Sequence, residues 1–241
     1  MRHIAFAFLA LSACTPPRPT GQSAASLTLT AGYEGGLVPV QLRFQAPELV
    51  ILRNGGVFKL QEDDSILRYA GVISEDRERI LGFAYQLWVS GLEGNFSVAE
   101  GITDLPSLAI RMWGDSSARQ VIVYGYPMGR LREKGGEIVD SLMAAARSAR
   151  TTRETWLPSE LKLWVIPWHG NTMGWRVYEW QGPNLPLDSL AELSAPMELR
   201  SDTARAVRDY LAGKTAYTRR EMALFKMGDK TYGIAIIPLV R

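Results

Sequence analysis

ELVILRNGGVFKLQ, residues 48–61, places two short apolar runs on either side of Asn54-Gly55-Gly56. Val, Ile and Phe suit a pleated strand, and an Asn-Gly pair offers the positive φ angles of a tight reversal. The stretch therefore predicts a β-hairpin. ILRYAGV (66–72) follows as a further extended segment, and then Ser74, Glu75 and Asp76 precede Ile80, Leu81, Ala84, Leu87 and Trp88. Those apolar positions fall on one helical stripe, with Ser74 as the expected cap and acidic residues in the first turn, where the helix dipole favours them. Two strands and then a helix is the unit that sets the fold class.

The unit recurs. SLAIRMW (107–113) and RQVIVYGY (119–126) flank Gly114-Asp115-Ser116-Ser117, and a helix is expected over 136–150 with Ile138, Val139, Leu142 and Ala146 inward. KLWVIPW (162–168) and WRVYEW (175–180), joined by HGNTMG, read as a third hairpin. A helix capped by Ser201 or Asp202 carries Ala204, Val207, Tyr210 and Leu211. Upstream, LTLTAGY (27–33) and VPVQLRF (38–44) alternate as strands do, and LTLTAGY is a candidate edge strand. EMALFKM (221–227) and TYGIAIIPLV (231–240) close the chain around Gly228-Asp229, and the unalternating IAII predicts a strand covered on both faces. The expectation is an α+β fold: a largely antiparallel sheet of recurring ββα units, with about three helices mainly on one face.

The N-terminus has a different character. Arg2 and His3 precede the eight apolar residues IAFAFLAL (4–11), then Ser12, Ala13 and Cys14, the only cysteine. An apolar run of this length suits a signal-peptide core and is far short of the ~20 residues of a spanning helix. Leu11-Ser12-Ala13-Cys14 resembles the bacterial lipobox. That resemblance implies cleavage before Cys14, acylation of its thiol with a diacylglycerol, and anchoring of an exported protein to the cell membrane. Thr15 follows where an aspartate would signal inner-membrane retention, so an outer membrane is favoured if the cell has one. TPPRPTGQSAAS (15–26) has no large apolar residue to bury and reads as a tether, with an extended reach of about 35–40 Å at ~3.1 Å per residue. The organisation is thus a signal peptide (1–13), a lipidated cysteine and tether (14–26) and one α+β domain (27–241), with 150–156 the place to divide it if it divides.

The globular part resembles a group of uncharacterised secreted bacterial proteins. Ile51-Leu52-Arg53-Asn54-Gly55-Gly56-Val57 matches their early glycine turn, and Tyr232 through Leu239 matches their final strand. Pro186-Leu187-Asp188-Ser189-Leu190, followed by a helix, matches a segment between them. Ile237 stands where the group has arginine. The resemblance implies continuity of fold and brings no activity with it.

Composition narrows the chemistry. There are 27 Lys+Arg against 25 Asp+Glu, without the basic runs of a nucleic-acid face, so no nucleic-acid partner is expected. Loss of the leader removes one of the two histidines and leaves His169. With the sole thiol acylated, disulfides, a Cys/His metal site and a thiol nucleophile are excluded, and no cofactor motif is present. No G-x-S-x-G elbow accompanies His169. Five of the seven tryptophans lie in 156–180: Trp156, Trp164, Trp168, Trp175 and Trp180. Indoles on a sheet face can stack on sugar rings, and large aromatics can equally pack a hairpin onto helices. Trp164, Trp168, Trp175 and Trp180, with His169 at the turn between the strands, are the candidate ligand-binding residues. Glu93, Glu100, Asp104 and Asp115 are loop carboxylates of the kind a glycosidase would pair.

Three functions follow in order of expectation. The first is a non-enzymatic envelope lipoprotein that binds another envelope protein. The second is a binder of a cell-wall glycan or hydrophobic ligand in a Trp-lined cleft. The third is a carboxylate-dependent hydrolase.

Overall fold

A computed structural model of the chain describes residues 26–35, 46–61, 67–99, 101–102, 105–126, 128–173, 176–193, 195–212, 214 and 223–240. Cys14, the tether up to residue 25 and VPVQLRF (38–44) lie outside the described residues. The elements are β1 (Thr28–Glu34), β2 (Leu49–Ile51), β3 (Val57–Leu60), β4 (Tyr69–Val72), α1 (Ser74–Ser90), β5 (Gly94–Ser97), β6 (Ser107–Trp113), β7 (Ala118–Tyr124) and α2 (Gly136–Ser148). They continue with β8 (Thr151–Trp156), β9 (Glu160–Pro167), β10 (Val177–Glu179), α3 (Leu187–Ala191), β11 (Met197–Arg200), α4 (Ser201–Ala212), β12 (Ala223–Met227) and β13 (Lys230–Pro238). The fold is α+β. Its mostly antiparallel strands form two sheets, and the chain passes from the first to the second at 157–159.

The first sheet has eight strands in the order β5-β7-β6-β1-β2-β3-β4-β8. The hairpin of 48–61 is present: Val50 faces Phe58, Gly55 takes the positive φ, and Asn54 Oδ1 accepts from Gly56 N at 3.0 Å. β6 and β7 form the second expected hairpin. β1 is a correction. It lies between β6 and β2, both antiparallel to it, so LTLTAGY presents no free edge to a partner. Its first five residues are buried, because the sheet is covered on both sides there.

The second sheet has five strands in the order β10-β12-β13-β9-β11. β13 sits at its centre with Tyr232 through Ile236 buried, as unalternating IAII requires. The expected hairpin of 162–168 with 175–180 does not form. β9 pairs with β13 and β11, whereas β10 pairs in parallel with β12, two strands away. Both edges of β9 are taken, one by β13 in a seven-residue antiparallel register and the other by β11, so none is left for the three-residue β10.

Two cores result. Leu29, Leu49, Ile51, Leu108, Ile110 and Val121 point to α1 (Ile80, Ala84, Leu87) and α2 (Val139, Leu142, Met143). On the opposite face, Val50, Phe58, Leu60 and Tyr69 join Leu161, Leu163 and Tyr232 of the second sheet, together with α3 and α4. No described residue of β5, β6 or β7 belongs to that second core. The second sheet therefore covers only part of the first, and its margin falls along β1 and β6.

The start of α1 is tied down from a distance. Ile73, not Ser74, is its N-cap, and no side chain caps it. Instead the buried Asp76 accepts from Arg150 N at 2.9 Å, Arg150 Nε at 3.1 Å and Arg79 Nη2 at 3.2 Å. The backbone bond from Arg150 is the main reason its carboxyl sits below the usual 3.8. A depressed carboxyl stabilises the fold fully above its ordinary range, and that stabilisation is lost as pH falls through the folded value. Asp76→Asn is therefore expected to lower stability at neutral pH and to flatten its decline below about pH 4. Thermal unfolding from pH 7 to 3 checks this, and an unchanged acid limb would contradict it.

Candidate functional site

A cleft of about 340 Å³ opens along that margin between the two sheets. Its volume is at the lower end of the roughly 300–1,000 Å³ usual for small-ligand sites. Strand alternation supplies its floor. Thr30, Gly32 and Glu34 of β1 and Ala109, Arg111 and Trp113 of β6 face away from α1 and α2, because Leu29, Ala31, Leu108 and Ile110 take the helix side. Lys162 and Trp164 of β9 form a wall by the same alternation, since Leu161 and Leu163 point into the second core.

Register explains the polar centre. Arg111 lies opposite Thr30 and Glu34 opposite Ser107, with the small pair Ala109 and Gly32 between them. The two side chains meet over this low ground in a bidentate pair, Nη1 to Oε1 and Nη2 to Oε2, the second at 2.7 Å. Donation to the Glu34 carboxylate raises the Arg111 pKa further and keeps the guanidinium charged. Gly32 is required for a second reason: a Cβ there would come within 2.7 Å of Pro47 Cα, where the chain re-enters at the rim. A more open groove of about 290 Å³ shares Arg111 and Trp113 and extends over Gln120 toward Glu93. Aromatic faces beside a fixed donor–acceptor pair can hold a flat, hydroxyl-bearing ring.

The tryptophans separate. Trp164 lines the cleft. Trp168 shares its sheet face, packed with Ile166 on Leu224 and Ala235, but does not line the cleft. Trp180 is on the other side of the sheet, edge-on to Tyr210 at 5.0 Å and to Phe225 at 5.3 Å, and its indole N–H donates to Pro183 O at 3.2 Å. Trp156 packs on Tyr69 and Phe58. Trp175 lies outside the described residues, and His169 is an exposed residue beyond β9. Trp164 and Trp180 thus lie on opposite faces of the second sheet and share no platform.

Asp115 pairs with Arg53, Glu93 borders the open groove, and Glu100 and Asp104 lie outside the described residues. Glu34, Arg111, Trp113 and Lys162 were not singled out by the sequence. Alternation in β1, β6 and β9 places them on one face, but only the junction of the sheets makes that face a cleft. Among the described residues no three His, Cys, Asp or Glu side chains group as metal ligands, and no helix is long and apolar enough to cross a membrane. No protein-family model, curated protein or solved structure matches the chain.

Proposed function

We propose that this is an exported lipoprotein, tethered through acylated Cys14, whose inter-sheet cleft binds a cell-wall glycan. The observation that carries the reading is the placement of Trp113 and Trp164 around the Glu34–Arg111 pair in one cleft. Sugar C–H faces pack on indoles, and sugar hydroxyls take up donor and acceptor sites beside them. The tether supports it too, since a reach of about 35–40 Å would bring the body from a bilayer to nearby wall polymer. Capture of a protein partner by strand addition has less support. β8 is an edge with residues 151–155 exposed, but it carries Arg153 and Glu154, the charges that guard an edge against pairing.

Titration calorimetry of the detergent-solubilised full-length protein with tetra-N-acetylchitotetraose tests the reading. Saturable binding is expected, with Trp164→Ala weakening it about tenfold for the loss of ~1.5 kcal/mol of stacking. An absence of binding, or a Trp164→Ala variant that binds as well as the wild type, would refute it.

A further inference from the structure

We infer that the glycan held by this cleft carries a carboxylate, and that Lys162 is the residue that reads it. The inference rests on the glycan reading above and specifies its chemistry. Among the described residues three formal charges border the cleft: Glu34, Arg111 and Lys162. The first two neutralise each other through a bidentate pair. Lys162 is different. It is half-buried on the wall, two residues from Trp164, and no hydrogen bond or ion pair holds its ammonium among the described residues. Its cross-strand neighbour Glu198, the obvious candidate to neutralise it, has Oε2 3.4 Å from Arg200 Nη2 instead.

The wall thus presents, beside an indole face, an ammonium that no hydrogen bond or ion pair holds among the described residues. A neutral saccharide would leave that ammonium to water. A saccharide with a carboxylate on a short arm would pair with it while its ring packed on Trp164. A charge-assisted bond of this kind is among the stronger polar contacts, and its attraction weakens with salt. The ligand class is therefore a β-linked N-acetylhexosamine strand with free acid groups on its sugars, as in wall glycan from which amide hydrolysis has removed the peptide.

The test compares two probes of equal length by calorimetry on the detergent-solubilised full-length protein. One is tetra-N-acetylchitotetraose. The other is a peptide-free tetrasaccharide whose alternate sugars carry a 3-O-lactyl carboxylate. The acidic probe is expected to bind about tenfold tighter at low salt. Lys162→Met, which keeps the alkyl stem, should reduce that preference to near unity. Methyl esterification of the lactyl groups should do the same without altering the protein, so the test does not depend on a variant that folds. Equal binding of both probes to the wild type overturns the inference and leaves the glycan reading standing. A preference that survives both Lys162→Met and esterification also overturns the inference. Failure of both probes to bind overturns both.

Discussion

Replacing Cys14 by alanine is expected to abolish lipid labelling and to release the protein from the membrane fraction. A hydroxyl-free, thiol-free side chain offers no acceptor for the diacylglycerol, and no helix among the described residues is long and apolar enough to cross a membrane. The eight-residue run IAFAFLAL is too short to span. Acyl chains contribute about 0.8 kcal/mol per buried CH₂, and stable attachment needs two of them, so the effect is close to all-or-none. Metabolic labelling with an alkyne fatty acid, read on wild type and Cys14→Ala, measures it directly. Label that persists on the alanine variant would place the anchor elsewhere.

Gly136→Ala is expected to cost about 3 kcal/mol, the upper end for an overpacked site. The chain turns into α2 through Gly135, at φ 96°, and the preceding loop folds back so tightly that a Cβ on Gly136 would lie 2.2 Å from Leu131 O. The opposing atom is backbone, so no rotamer change relieves the clash. The first turn of α2 or the loop must move, and α2 carries Val139, Leu142 and Met143 of the first core. For a body of this size that corresponds to a fall of about 6–12 °C in melting temperature. Glu137→Ala at the next, exposed position is the control, with a change within about 0.5 kcal/mol. Equal melting temperatures for wild type and Gly136→Ala would show that the loop does not sit as described.

Local signals in the chain proved informative where they were local. The Asn-Gly turn of 48–61, the Gly114–Ser117 reversal, the apolar stripe of α2 and the buried run in β13 were all legible, because each is decided by neighbours within a few residues. Pairing between distant strands was not. WRVYEW contains the residues of a strand, but β13 and β11 from later in the chain take both edges of β9, and β10 pairs with β12. That one exchange sends Trp180 to the helix side while Trp164 stays on the other. The cleft was hidden for a related reason. Glu34, Arg111 and Lys162 come from three strands, and the bidentate pair depends on a register that puts Gly32 opposite Ala109. Nothing in the spacing of those residues along the chain carries that information.

The most direct test of the central claim, a glycan seated between the two sheets, is photo-crosslinking with a diazirine-bearing chitotetraose followed by peptide mapping. The expected result is label on the peptides that contain Trp113 and Trp164, displaced by excess unlabelled sugar. Label confined to 176–180, or spread over the surface and indifferent to competitor, would contradict it.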